Sequence, residues 1–132
     1  QDDATELDMR IGPVHFEAKL TEPDFTSKSK QRVNAYSGFG DVFDVDLLPQ
    51  MESDYSTYQL IRNVLAAHHH NTSFVLLLDA RRPDLLRYWW DTMRAVRPGG
   101  LRARCHFLMW QEIAHDGPRD LREFLAHKYG IS

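Results

Sequence analysis

Gly12-Pro13 stands between two runs of alternating apolar and polar residues, and no other feature of this 132-residue chain restricts its folding as tightly. From Thr5 to Ile11, Leu7, Met9 and Ile11 alternate with Glu6, Asp8 and Arg10. From Val14 to Thr21, Phe16, Ala18 and Leu20 alternate with His15, Glu17 and Lys19. A period of two belongs to half-buried strands, and a Gly-Pro pair to a turn. The segment therefore predicts an antiparallel hairpin with one apolar and one polar face. With the turn centred on Gly12-Pro13, residue 11 lies opposite 14, 10 opposite 15, and 8 opposite 17. Asp8 then faces Glu17, and Lys19 projects from the same polar face two residues further along.

Two carboxylates directly opposite one another repel unless something neutralises them. Two readings are open. In one, a hard divalent cation with oxygen ligands sits between Asp8 and Glu17, and the ammonium of Lys19 polarises a water or offsets charge developing on a phosphate. In the other, Glu-x-Lys is an ordinary exposed strand face, and Asp8 pairs with Lys19 or Arg10 on the surface.

The rest of the chain predicts a short helix around Lys28 to Tyr36, a mixed segment from Val42 to Leu48 closed by Pro49, and a helix from about Asp54 to Ala67 capped by Ser53 or Asp54. Phe74 to Leu78 is a continuous apolar run, the pattern of a strand buried on both faces. Pro83 opens a helix whose stripe of Leu85, Leu86, Trp89, Trp90, Met93 and Val96 ends at Pro98-Gly99-Gly100. A strand follows around Cys105 to Trp110, then a helix from Pro118 to Tyr129 stopped by Gly130. No repeat or linker divides the chain, so a single domain over residues 1–132 is expected. The order β-β-(α)-α-β-α-β-α predicts an α/β fold with a mixed sheet, an N-terminal antiparallel hairpin and flanking helices.

Composition bounds the class. With 42% hydrophobic and 27% charged residues the chain is globular, which excludes disorder, collagen and coiled coil. No run approaches the roughly 18 apolar residues of a membrane span, the start QDDATE lacks the order of a signal peptide, and one cysteine cannot form an internal disulfide. A cytoplasmic protein with no membrane partner is expected. Residues 1–60 carry 5 Lys/Arg against 12 Asp/Glu and residues 61–132 carry 11 against 7, with seven arginines between Arg81 and Arg104. That split suits an acidic, cation-attracting site beside a basic, anion-attracting surface; a solvated helix face is the other reading.

The run T-E-L-D-M-R-I-G-P-V-H-F-E-A-K resembles the signature of the PD-(D/E)xK nuclease superfamily, an acid on one strand, a short turn, then Glu-x-Lys on the next. A Y-Q-L-I-R-N helix, an F-V-L-L-L-D strand and a late M-W-Q-E-I-A segment extend the resemblance to a bacterial restriction-endonuclease family within it. The resemblance implies the restriction-endonuclease-like fold and metal-dependent hydrolysis of phosphodiester bonds in DNA. It implies that Asp8, Glu17 and the backbone carbonyl of Ala18 bind Mg²⁺, with Mn²⁺ as a substitute, and that Lys19 positions or activates the attacking water. Relatives carry a polar residue from the later helix into the site, and here Gln59, Arg62 and Asn63 share one helix face. Gln59 is the catalytic candidate, and Arg62 the phosphate clamp. Many relatives also have a glutamate on a helix before the first catalytic strand. Only four residues precede Thr5, so the expectation is a fragment lacking that helix or a site that does without it, with Glu6 or Glu22 as stand-ins. A homodimer or an additional domain would supply missing cover.

Other features carry less. His68-His69-His70 reads as a helix end, where the dipole favours cations, or as a weak incidental metal site. Cys105 reads as a buried thiol, Tyr36 to Gly40 as a loop, and Trp89 as core, with Tyr88 or Trp90 exposed. No Gly-x-Ser-x-Gly, phosphate-binding loop, dinucleotide fingerprint or Cys-x-x-Cys pair is present. The competing functions are a catalytically inactive module of the same fold that binds nucleic acid or protein, and an interaction domain whose acids merely decorate its surface.

Overall fold

The computed structural model describes residues 7–20 and 22–132, with the side chains of Leu7 and Asp8 outside the description. Thr5, Glu6 and Thr21 lie outside the described residues. Strands β1 (Leu7–Ile11) and β2 (Val14–Ala18) form the expected antiparallel hairpin, with Asp8 opposite Glu17, Arg10 opposite His15, and Ile11 opposite Val14. Gly12 adopts a φ of 57°, a left-handed conformation that suits glycine, and closes the turn. Strand β2 then pairs in parallel with β5 (Ser73–Leu78), and β5 in parallel with β6 (Cys105–Met109), giving the mixed order β1-β2-β5-β6.

Both faces of this sheet are covered. Phe74, Leu76 and Leu78 pack with Leu60, Ile61 and Val64 of α3 (Tyr58–His70) and with Leu85 and Trp89 of α4 (Pro83–Met93). Val75, Leu77 and Ala18 pack with Trp110 and Ala114 of α6 (Trp110–Asp116) and Leu125 of α7 (Arg119–Tyr129). The hairpin therefore does not keep its polar face in solvent. Glu17 is fully buried and Lys19 is 2% exposed, because the strand that alternation marked as half-buried lies beside the buried β5, with Glu17 in register with Leu76.

Several expectations fail where elements are short. Lys28–Ser29 is a strand, β3, paired with β4 (Asp54–Tyr55), and the helix expected from Lys28 is the five-residue α1 (Lys30–Asn34). Phe39 and Gly40, read as loop, begin the four-residue α2 (Phe39–Val42), and the mixed segment from Val42 holds a 3₁₀ turn at Val45–Leu47. Gly99 and Gly100, read as a stop, begin the short α5 (Gly99–Arg102), and Trp110, read as strand, begins α6. There the Glu112 carboxylate accepts the Met109 amide at 2.8 Å and fixes the helix start. No helix among the described residues is long and apolar enough to cross a membrane.

The start of α3 differs most. Neither Ser53 nor Asp54 caps it; helix begins only after Thr57, whose hydroxyl is bonded to that of Thr92 at 2.9 Å. The first amides, those of Tyr58 and Gln59, donate instead to the carbonyls of Thr26 and Phe25 at 2.9 and 3.0 Å. A helix start needs acceptors for its orphan amides. Here a distant stretch of main chain provides them, which draws Phe25 and Lys28 against the first turn of α3.

Candidate active site

Strand β2 delivers Glu17 and Lys19 to one face of the sheet, and α3 lies across that face. The Asn63 side-chain amide donates to Glu17 Oε1 at 2.9 Å and to the backbone carbonyl of Gln59 at 2.8 Å. The Arg62 guanidinium approaches the same Glu17 oxygen at 3.4 Å from a side chain that is 41% exposed. The Lys19 ammonium donates to Gln59 Oε1 and stands 5.2 Å from the centre of the buried Phe25 ring. Burying a carboxylate and an ammonium is costly unless each is bonded. Residues 59, 62 and 63, one face of a single helix, meet both charges.

The ends of the motif are also fixed. The Lys19 amide continues the ladder to the Leu77 carbonyl at 2.9 Å, and the Trp110 indole donates to the Lys19 carbonyl at 3.0 Å. Lys19 thus stands between β5 and α6, its main chain bonded to both and its ammonium directed at α3. Glu22, a candidate stand-in acid, is 7% exposed, and its carboxylate accepts the Leu20 amide at 2.9 Å.

Of the residues singled out from sequence, Glu17, Ala18, Lys19, Gln59 and Arg62 come together here, with the Asp8 backbone opposite Glu17 across the hairpin. The carboxylates of Asp8 and Glu6 lie outside the described residues. Among the described side chains no three of His, Cys, Asp or Glu converge to hold a metal ion. The donor chemistry at the hairpin, carboxylate and main-chain oxygens, nevertheless fits a hard divalent cation such as Mg²⁺.

Sequence reasoning placed Asn63 on the correct face but gave it no role; its signal is an amide among apolar neighbours on a buried helix stripe. A second group carried no sequence signal, because the start of α3 assembles it from distant segments. Lys28 Nζ lies 3.4 Å from the Tyr58 hydroxyl, which is 3.1 Å from that of Tyr36, and the Arg62 guanidinium is 5.8 Å from the Tyr58 ring centre. The hydroxyls of Tyr36 and Tyr58 raise the Lys28 pKa above its ordinary value. Burial alone raises that of Tyr58, but the bonds from Tyr36 and Lys28, with the charges of Lys28 and Arg62, bring it below the usual range.

The remaining candidates lie on other parts of the fold. Cys105 is buried, and desolvation pushes its thiol up to about 11, which leaves it unreactive at neutral pH. His68, His69 and His70 form the last turn of α3. Trp89 is core, whereas Trp90 is 56% exposed and packs edge-on to Phe107.

A family model described as Restriction Endonuclease associating with ARP matches residues 1–130. Comparison with curated proteins and with solved structures gives no match.

Proposed function

The chain belongs to the family described as Restriction Endonuclease associating with ARP, and from that premise we propose that it is a metal-dependent nuclease of the PD-(D/E)xK type acting on DNA. The observation that carries this reading is a buried glutamate and a buried lysine, two residues apart at the end of β2, both bonded to the same face of α3. Nothing in a simple fold requires two buried opposite charges that each bond to a neutral amide. Held at a fixed spacing, such a pair suits hydrolysis of a phosphodiester, one group for a cation and the other for the attacking water.

Asp8, Glu17 and the carbonyl of Ala18 would hold Mg²⁺, or Mn²⁺ in its place, and when bound the ion supplies positive charge to the scissile phosphate and acidifies water. The protein's own groups do the rest. Asn63 fixes the orientation of the Glu17 carboxylate, so its lone pairs need not be reorganised during reaction. Gln59 holds the Lys19 ammonium, which orients the attacking water and offsets charge growing on the phosphate. Arg62, with its side chain 41% exposed, exchanges Glu17 for a phosphate oxygen when substrate arrives.

The test is cleavage of linear, supercoiled and single-stranded DNA with Mg²⁺, with Mn²⁺ and with chelator. Glu17→Gln and Lys19→Met should each lower metal-dependent cleavage by about 100-fold or more while the circular dichroism spectrum is kept. Undiminished cleavage in either variant overturns the assignment. The second reading, an inactive module of the same fold, is favoured by the Arg62 contact, which neutralises Glu17 without any ion. Its mark is salt-sensitive DNA binding without products. The family's description speaks of association with ARP, and we take that to mean action beside a partner or an attached domain.

A further inference from the structure

Beside the buried Glu17 and Lys19, but separate from them, the loop after α1 and the outer face of α3 form the walls of an open cavity of about 380 Å³. Arg62, Leu65, Ala66, His69 and His70 line it from the helix, at spacings that form one stripe, and Tyr36 lines it from the loop. His69 Nε2 lies 2.9 Å from the Ser37 carbonyl, which ties loop to helix. Arg62 belongs to both places, since it lines the cavity and reaches Glu17 at 3.4 Å. Outside the lining, Lys28 places a second cation near the Tyr36 wall, its ammonium 4.4 Å from the Tyr58 ring centre and 6.0 Å from that of Tyr36.

The cavity combines an aromatic ring, small aliphatic side chains, two imidazoles and a cation, and its described lining includes no carboxylate. Aromatic and aliphatic faces suit a flat heterocycle, and cations suit a phosphate. A ligand carrying both on one frame is a nucleotide. Within a duplex each base face is already covered by its neighbours, so only an unpaired or extruded base can lie against Tyr36. Because Arg62 spans the two places, a phosphate bound by it sits next to Glu17.

We propose that this cavity takes one unpaired nucleotide of the strand being cut, its base against Tyr36, Leu65 and Ala66 and its phosphate between Arg62 and Lys28. The inference rests on the nuclease reading above and names the form of nucleic acid that the site prefers: a single strand, a frayed end or a flap.

Fluorescence anisotropy in chelator, where nothing is cut, tests it with a fluorescein-labelled single strand of about a dozen thymidines and with the matching duplex. The single strand should bind more tightly than the duplex. Tyr36→Ala and Lys28→Gln should each weaken single-strand binding about tenfold, and Tyr36→Phe, which keeps the ring, should stay within about twofold. Lys28→Gln should also lower the slope of log Kd against log salt by about 0.7, the mark of one lost phosphate contact. Equal affinity for duplex, no binding of the single strand, or wild-type affinity in both Tyr36→Ala and Lys28→Gln overturns the proposal. Where Tyr36→Ala does not fold, Lys28→Gln with its salt slope decides. Failure of the nuclease reading is seen separately, as metal-dependent cleavage that persists undiminished in Glu17→Gln.

Discussion

Asn63 makes a stronger contact to Glu17 than Arg62 does, and magnitudes separate the two. The Asn63 bond to Glu17 is 2.9 Å long and buried at both ends, whereas Arg62 stands 3.4 Å away on a side chain 41% exposed. A buried donor removed from a charged acceptor costs about 2–3 kcal/mol, and an ion pair at 3.4 Å whose cation is open to solvent contributes about 1 kcal/mol or less. Asn63→Leu, close in volume, should therefore lower stability by about 2–3 kcal/mol in urea titration, and Arg62→Leu by under about 1 kcal/mol. The reverse order would mean that the ion pair, not the amide, holds the carboxylate. At this scale the sequence was informative about Glu17, Lys19 and Gln59, because strand alternation and helix spacing each assign a face. It said nothing of Phe25 or Lys28, whose neighbours are set by hydrogen bonds between segments far apart in the chain.

Elements were legible in proportion to their length. The hairpin, β5, α4 and α7 have enough residues for a period to appear, and they form where the pattern put them, except that α4 ends at Met93 and Val96, read as part of its stripe, bridges to Phe43 instead. The two-residue strands β3 and β4 and the four-residue helices α2 and α5 are shorter than one period of any useful window. Helix α6 escaped for another reason. It follows β6 with no turn residue between them, so Met109 and Trp110 read as one apolar run. The α6–α7 corner carries its own constraint. A methyl group built on Gly117 would stand 2.6 Å from the backbone carbonyl oxygen of Ile113, although the glycine φ of −87° suits any residue. Gly117→Ala should thus destabilise through overlap alone, by about 1–3 kcal/mol, and thermal unfolding should occur at lower temperature. A neutral outcome would show that α7 can move away without loss of its packing.

Across the whole molecule, part of the arginine-rich stretch ties segments of main chain together. Arg82 donates to the Glu22 and Pro23 carbonyls, Arg102 to that of Val96, and Arg104 to those of Thr72 and Ala67. Charge counts register the guanidinium groups but not these carbonyl partners, while Arg87, Arg94 and Arg97 stand exposed. Of the arginines that tie main chain, Arg81 reaches furthest. It makes paired bonds to Asp79 at the end of β5 and donates to the carbonyls of Tyr129 and Gly130 at the end of α7, joining the central sheet to the C-terminal helix. Gln111 donates to the same carboxylate at 2.7 Å. The bonds from Arg81 and then Gln111, working against desolvation, hold the Asp79 carboxyl at about 2, below its ordinary 3.8. A carboxyl depressed in the folded state stabilises the fold above its unfolded pKa and ceases to do so as pH falls through its folded one. The full shift would correspond to about 2 kcal/mol, and because Arg81 is 55% exposed solvent screening reduces this to the order of 1 kcal/mol. Asp79→Asn should therefore be less stable than the wild type by about 1 kcal/mol at neutral pH, with the gap closing between about pH 4 and pH 2. Urea midpoints for the two proteins across that range measure it, and a gap of constant size down to the lowest pH would assign the difference to lost hydrogen bonds rather than to the charge.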